Sequence, residues 1–155
     1  MSDITPIFME DYKGDFELFV EACYSCYKSI WVTNPKFNEK NIFRPTEPIN
    51  GKESCFWGCV NGHDKDKQES SMKRYETIPC LKEILSKDRF KPNDKDADIK
   101  WFEFNRKIVI FSVSLSYLVV LREKAKKVFF VTAYPVGNRK KERLLKDWEY
   151  FWKKA

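Results

Sequence analysis

The chain has 155 residues and a mass of 18.6 kDa, enough for one domain, residues 1–155, built around its own core. With 43% hydrophobic and 16% aromatic residues it falls outside the intrinsically disordered class, and a mean hydropathy of −0.58 fits a charged surface. No apolar run reaches the roughly 18 residues of a spanning helix, and Met1-Ser2-Asp3-Ile4-Thr5-Pro6 lacks the basic and apolar regions of a secretory leader, so a cytoplasmic protein is expected.

Asp11 to about Thr33 reads as a long amphipathic helix, because Phe16, Phe19, Val20, Cys23, Tyr27, Ile30 and Trp31 recur at spacings of three and four. Asn34-Pro35 ends it. Lys36 to Ser54, with Pro45, Pro48 and Asn50-Gly51, reads as a loop, and Cys55 to Val60 as a short buried strand. A polar stretch from Asn61 to Ser71 holds the single histidine, His63. Thr77-Ile78-Pro79 opens a second helix carrying Leu81, Ile84 and Leu85 on one face, with Lys87 near its end, and Lys91 to Asp98 is a charged linker.

From Ile99 the period becomes that of a sheet. Ile99 to Phe104, Ile108 to Val113, Ser116 to Arg122 and Val128 to Pro135 are rich in Val, Ile, Phe, Tyr and Trp, and their short connections require antiparallel neighbours. The final helix follows Asn138 as N-cap, with Leu144, Leu145, Trp148, Phe151 and Trp152 on one face. The expected fold is α+β: helices packed on one face of a four-stranded antiparallel meander, ending in a basic amphipathic helix.

Charge is segregated along this order. Against totals of 29 basic and 23 acidic residues, net +6, the segment from Arg122 to Ala155 holds 11 basic and 4 acidic residues, net +7, leaving the first 121 residues at −1. A local positive potential of this kind attracts polyanions. Five cysteines carry no export signal, and the Cys23/Cys26 and Cys55/Cys59 pairs lie in apolar patterns rather than tight turns. Small buried thiols are therefore expected in preference to a zinc site, and no metal or cofactor is assigned.

Two clusters could carry chemistry. In the last strand Thr132 and Tyr134 point to one face, with Val131 and Ala133 on the other, just before a helix start bearing Arg139, Lys140 and Lys141, a natural anion site. The second is Lys73-Arg74-Tyr75-Glu76 at the entrance to a helix, where an arginine could hold a phosphate bidentately. Each also has an ordinary explanation, as strand residues or as a surface ion pair.

Over Tyr12 to Tyr150 the chain resembles small bacterial and phage-borne proteins assigned to the barnase–EndoU–colicin–RelE superfamily of nucleases. The resemblance is collinear. Gly51-Lys52-Glu53 leads into Phe56-Trp57, then come Lys73-Arg74-Tyr75-Glu76-Thr77-Ile78-Pro79, Trp101, Tyr117-Leu118-Val119-Val120-Leu121, Thr132-Ala133-Tyr134-Pro135-Val136, Arg143 and Trp148-Glu149-Tyr150. It implies a metal-independent endoribonuclease or toxin-like relative, a hydrolase in which the ribose 2′-hydroxyl attacks the adjacent phosphate. In that reading Arg74 stabilises the phosphate and Glu76 orients it or serves as base. Thr132 and Tyr134 line the scissile group, and Trp57 or Trp101 stacks a base. Lys73, Arg139, Lys140, Lys141 and Arg143 contact the RNA. In the family's pattern Phe-Trp is followed by His, whereas Gly58 stands here. Either His63 substitutes, or the chemistry does without it, or this copy is inactive. Two alternatives follow: a nucleic-acid-binding or regulatory protein of the same fold, and an interaction module for an acidic partner such as an antitoxin or immunity protein.

Overall fold

The computed structural model describes residues 4–61, 68–86, 90 and 97–154. The polypeptide opens with a 3-10 turn, Met9–Tyr12, and then α1, Phe16–Val32. Lys13 and Gly14, both at positive φ, separate the two, so the helix begins later than its apolar pattern suggests. Asp15 caps it, accepting from the Leu18 amide at 3.2 Å. Phe19, Cys23 and Tyr27 on the predicted stripe are buried, while Phe16 is half-exposed.

The segment expected as a loop instead contains four short strands: β1 Lys36–Phe37, β2 Lys40–Phe43, β3 Pro48–Ile49 and β4 Lys52–Glu53. Strands of two to four residues are too short to display a period of two. Both hairpins turn through residue pairs at positive φ, Asn38-Glu39 and Asn50-Gly51. Glu53 is a local anchor. It accepts Arg44 Nε at 2.8 Å, Arg44 Nη2 at 2.9 Å and the Tyr27 hydroxyl at 2.9 Å, which ties the loop to α1.

Cys55 to Val60, expected as a strand, forms α2, Ser54–Asn61. Cys55, Phe56, Cys59 and Val60 are buried, a spacing that fits a helix as well as the apolar run fits a strand. Next come α3, Gln68–Glu76, and α4, Ile78–Leu85, the latter with Pro79 in its first turn as expected. His63, Lys87 and the linker at 91–96 lie outside the described residues.

The four later strands are β5 Ile99–Phe104, β6 Lys107–Ser112, β7 Tyr117–Lys124 and β8 Lys127–Pro135. They pair antiparallel in sequence order, as expected. The sheet is larger than a four-stranded meander, however. Its order is β1-β2-β8-β7-β6-β5, and β2 runs parallel to β8 through Ile42↔Val128 and Phe43↔Phe129. The fold is thus α+β with a mixed six-stranded sheet.

Helices cover both faces rather than one. Ile108, Ile110, Val119, Leu121, Val128, Phe130 and Ala133 pack with α1, α2 and α4 in the main core. Phe102, Val109, Phe111, Leu118 and Val120 point the other way and meet Leu144 and Trp148 of α5, Asn138–Lys154. A sheet whose alternate positions are all apolar needs cover on both sides. Asn138 is the first residue of α5, and the Gly137 carbonyl accepts the Lys141 amide at 3.0 Å.

One bulge decides which side chains of β8 face where. Val120 pairs with Thr132 but Leu121 pairs with Phe130, leaving Val131 as an extra residue. Phe130 and Ala133 can both face the main core, although they are three apart, and Thr132 and Tyr134 share the opposite face with Leu118 and Val120. Val131 does not share the buried setting of Ala133, since it is 44% exposed.

Candidate functional site

Beyond Phe129, β8 has no strand on the side where β2 lies, because β2 ends at Phe43. Helix α2 occupies this margin, with the Ala133 backbone in hydrogen-bonding reach of the Cys59 sulfur. The hydrogen bond it donates to Cys55, together with burial, pushes the Cys59 thiol well above its ordinary range. The last turn of α3 follows α2 here, and Arg74 Nη1 donates to the Cys59 carbonyl at 3.4 Å.

Arg74 thereby reaches the face of the sheet opposite the main core. Its guanidinium carbon lies 4.8 Å from the centre of the Tyr134 ring. The two line a groove of about 320 Å³ with Lys73, Pro135, Val136, Gly137 and Lys140. Burial pushes the Tyr134 phenol above its ordinary value, and the Arg74 charge opposes this only in part. Chemically the groove offers three cations, a phenol held in its protonated form, and the start of α5, whose first-turn amides precede the first helical bond at Lys141.

The other candidate residues separate. Thr132 is on the same strand face as Tyr134, half-buried opposite Val120, but is outside the groove lining. Glu76 also lies outside that lining, and its charge acts on Cys23 of α1, whose thiol burial pushes up to about 12. Trp57 faces a second groove of about 410 Å³, walled by Phe16, Leu18 and Tyr75, and its Nε1 donates to the Ile49 carbonyl at 2.7 Å. Trp101 is packed between Phe37 and Trp152, at 5.1 Å and 4.9 Å between ring centres, and donates to the Phe90 carbonyl. Gly58 is on the exposed side of α2, and a Cβ built there meets nothing within 4 Å.

The basic residues of α5 divide as well. Lys140 lines the groove, and Arg139 and Arg143 are exposed. Lys141 is committed elsewhere: its Nζ donates to the Val113 carbonyl at 3.2 Å and to Ser116 Oγ at 2.9 Å, tying α5 to the β6–β7 turn. Spacing along a helix cannot show this, because the acceptors are 25 and 28 residues away. Among the described residues no three His, Cys, Asp or Glu side chains converge as metal ligands, and Cys23 Sγ donates to the Tyr75 carbonyl at 3.4 Å.

Compared with protein-family models, curated proteins and solved structures, the chain matches none.

Proposed function

We propose that the protein is a metal-independent endoribonuclease, a toxin-like relative of the nuclease superfamily whose motifs its sequence resembles. The observation that carries this reading is Arg74 laid over Tyr134 in a groove whose other cations are Lys73 and Lys140. A phosphodiester is the group such a groove would hold: guanidinium binds two of its oxygens at once, and helix amides and lysines neutralise the rest. In the reaction the ribose 2′-hydroxyl gives its proton to solvent water as its oxygen bonds to phosphorus, while the bond from phosphorus to the 5′-oxygen breaks, leaving a cyclic phosphate. Tyr134 would give the departing 5′-oxygen its proton, and Arg74 would stabilise charge developing on the phosphoryl oxygens.

A second reading is favoured by what lines the groove. Among the described residues it contains no imidazole or carboxylate to take the 2′-hydroxyl proton. The same site would then hold RNA without cutting it. Incubation with single-stranded RNA in chelator, with the ends analysed for cyclic phosphate, separates the two. Cleavage that is lost in Arg74→Ala and Tyr134→Phe supports the enzyme, and full activity in both variants removes the site assignment. Arg74-dependent binding without cleavage selects the second reading. Gly58→His, at a position with open space around it, then asks whether an imidazole on α2 confers cleavage.

A further inference from the structure

The strand register places one row of side chains across five neighbouring strands. Phe104 of β5 pairs with Lys107 of β6, Lys107 with Arg122 of β7, Arg122 with Phe129 of β8, and Phe129 with Phe43 of β2. Directly paired residues share a sheet face, so all five point to the side that carries α5. Helix α5 covers this face around Leu118 and Phe111 but leaves the row open: Phe104 is 61% exposed, Phe43 45% and Phe129 37%. Neighbouring strands lie about 4.8 Å apart, which makes the row roughly 19 Å long, the reach of a few nucleotides.

Charge along the row is sorted by face. Lys124 and Lys127 pair with each other two residues beyond Arg122 and Phe129, on the same side, and Lys127 Nζ lies 5.7 Å from the centre of the Phe43 ring. The acidic neighbours in sequence, Glu103 and Glu123, alternate to the opposite face. There Glu123 pairs with Lys40 at 2.7 Å. Among the described residues none of Lys107, Arg122, Lys124 and Lys127 is held in an ion pair. Phe43 and Phe129 sit 5.8 Å apart between ring centres, tilted by 38°.

We infer that this row is a binding track for single-stranded nucleic acid, with bases stacked on the phenylalanines and phosphates held by the cations between and beside them. Exposed rings at both ends of a row whose middle carries two uncompensated positive charges, with Lys124 and Lys127 beside it, match a strand of flat apolar bases and negative phosphates. A second copy of the chain fits poorly, because it would press the same four cations against each other. The inference rests on the proposed reading only for the class of ligand. The row lies at the hairpin end of β8, away from the groove at Tyr134.

The test is fluorescence anisotropy with the full chain and a labelled, unstructured twelve-nucleotide RNA, its DNA counterpart and the RNA in duplex form. Phe43→Ala and Phe129→Ala should each weaken single-strand binding by at least about fivefold with unchanged salt dependence, and Phe129→Trp should restore it. Arg122→Ala and Lys127→Ala should each lower the slope of log affinity against log salt by about 0.7. Unchanged circular dichroism melts in these surface variants show that folding is intact. Parent-like binding by the phenylalanine variants overturns the track, even if Arg74→Ala abolishes cleavage. Equal or tighter binding of the duplex, of polyglutamate or of phosphatidylserine vesicles, with the same phenylalanine dependence, also overturns it. Row-dependent binding in a protein that never cleaves leaves the track standing and removes the catalytic reading of the groove.

Discussion

At Tyr134 a single phenol has two neighbours that pull its proton affinity in opposite directions. Burial raises it and Arg74 lowers it, and burial wins. A group that must be protonated to act works below its pKa and stops as pH rises through it, so a proton-donating Tyr134 stays active through neutrality. Its loss should come only above about pH 10, the ordinary phenol value. Tyr134→Phe should lower single-turnover cleavage by about 10² or more and remove that alkaline limb, while RNA affinity changes little. Measurement of rate against pH for both proteins checks this. A parent-like rate in the variant would leave Tyr134 as a ring beneath Arg74 and nothing more. Arg74 and Tyr134 were each legible as candidates from residue type and strand position. Their contact was not, because it depends on where β2 stops.

Among the elements, the meander was the most readable part, since its strands of six to nine residues are rich in Val, Ile, Phe, Tyr and Trp and are joined by short polar turns. The two hairpins before it were hidden by brevity. Helix α2 was misread because six apolar residues fit either period. The β8 bulge left no trace, because Val131 is as good a strand residue as its neighbours. Turn chemistry shows a similar limit. The β7–β8 hairpin turns at Ala125 and Lys126 with φ of 53° and 66°, although neither residue type favours the left-handed region. Replacing the pair with Asn-Gly, as found at Asn50-Gly51, should raise stability by about 1–2 kcal/mol. A denaturant melt with an unchanged slope and a higher midpoint is the expected result. A lower midpoint would show that Ala125 or Lys126 makes contacts outweighing the backbone strain.

For the whole molecule, two hydrophobic clusters share one sheet. Trp31 is buried in the cluster of α1, α2 and α4, and Trp148 in that of α5. Because β6 and β7 supply alternate residues to both, neither can melt without exposing the back of the other. Trp148→Phe and Trp31→Phe proteins should therefore give coincident urea transitions by fluorescence and by circular dichroism. An earlier transition from the probe at Trp148 would mean that α5 detaches by itself. The excess of charge in the last 34 residues was visible in the sequence as a basic tail. In the fold it becomes three things: Lys140 in the groove, Lys141 as a strut, and Arg122, Lys124 and Lys127 on the open sheet.

The extra residue at Val131 makes β8 a strand with a change of phase. Up to Phe130 the core takes every second residue, and it next takes Ala133, offset by one. Were the same residues to run through without the bulge, strict alternation would turn Thr132 and Tyr134 into the core, with Ala133 facing outward. A homologue of the same length whose strand paired straight through this point would be a different molecule at the groove, however similar its residues. Whether the bulge forms, more than which residues flank it, would thus mark where related chains part in function.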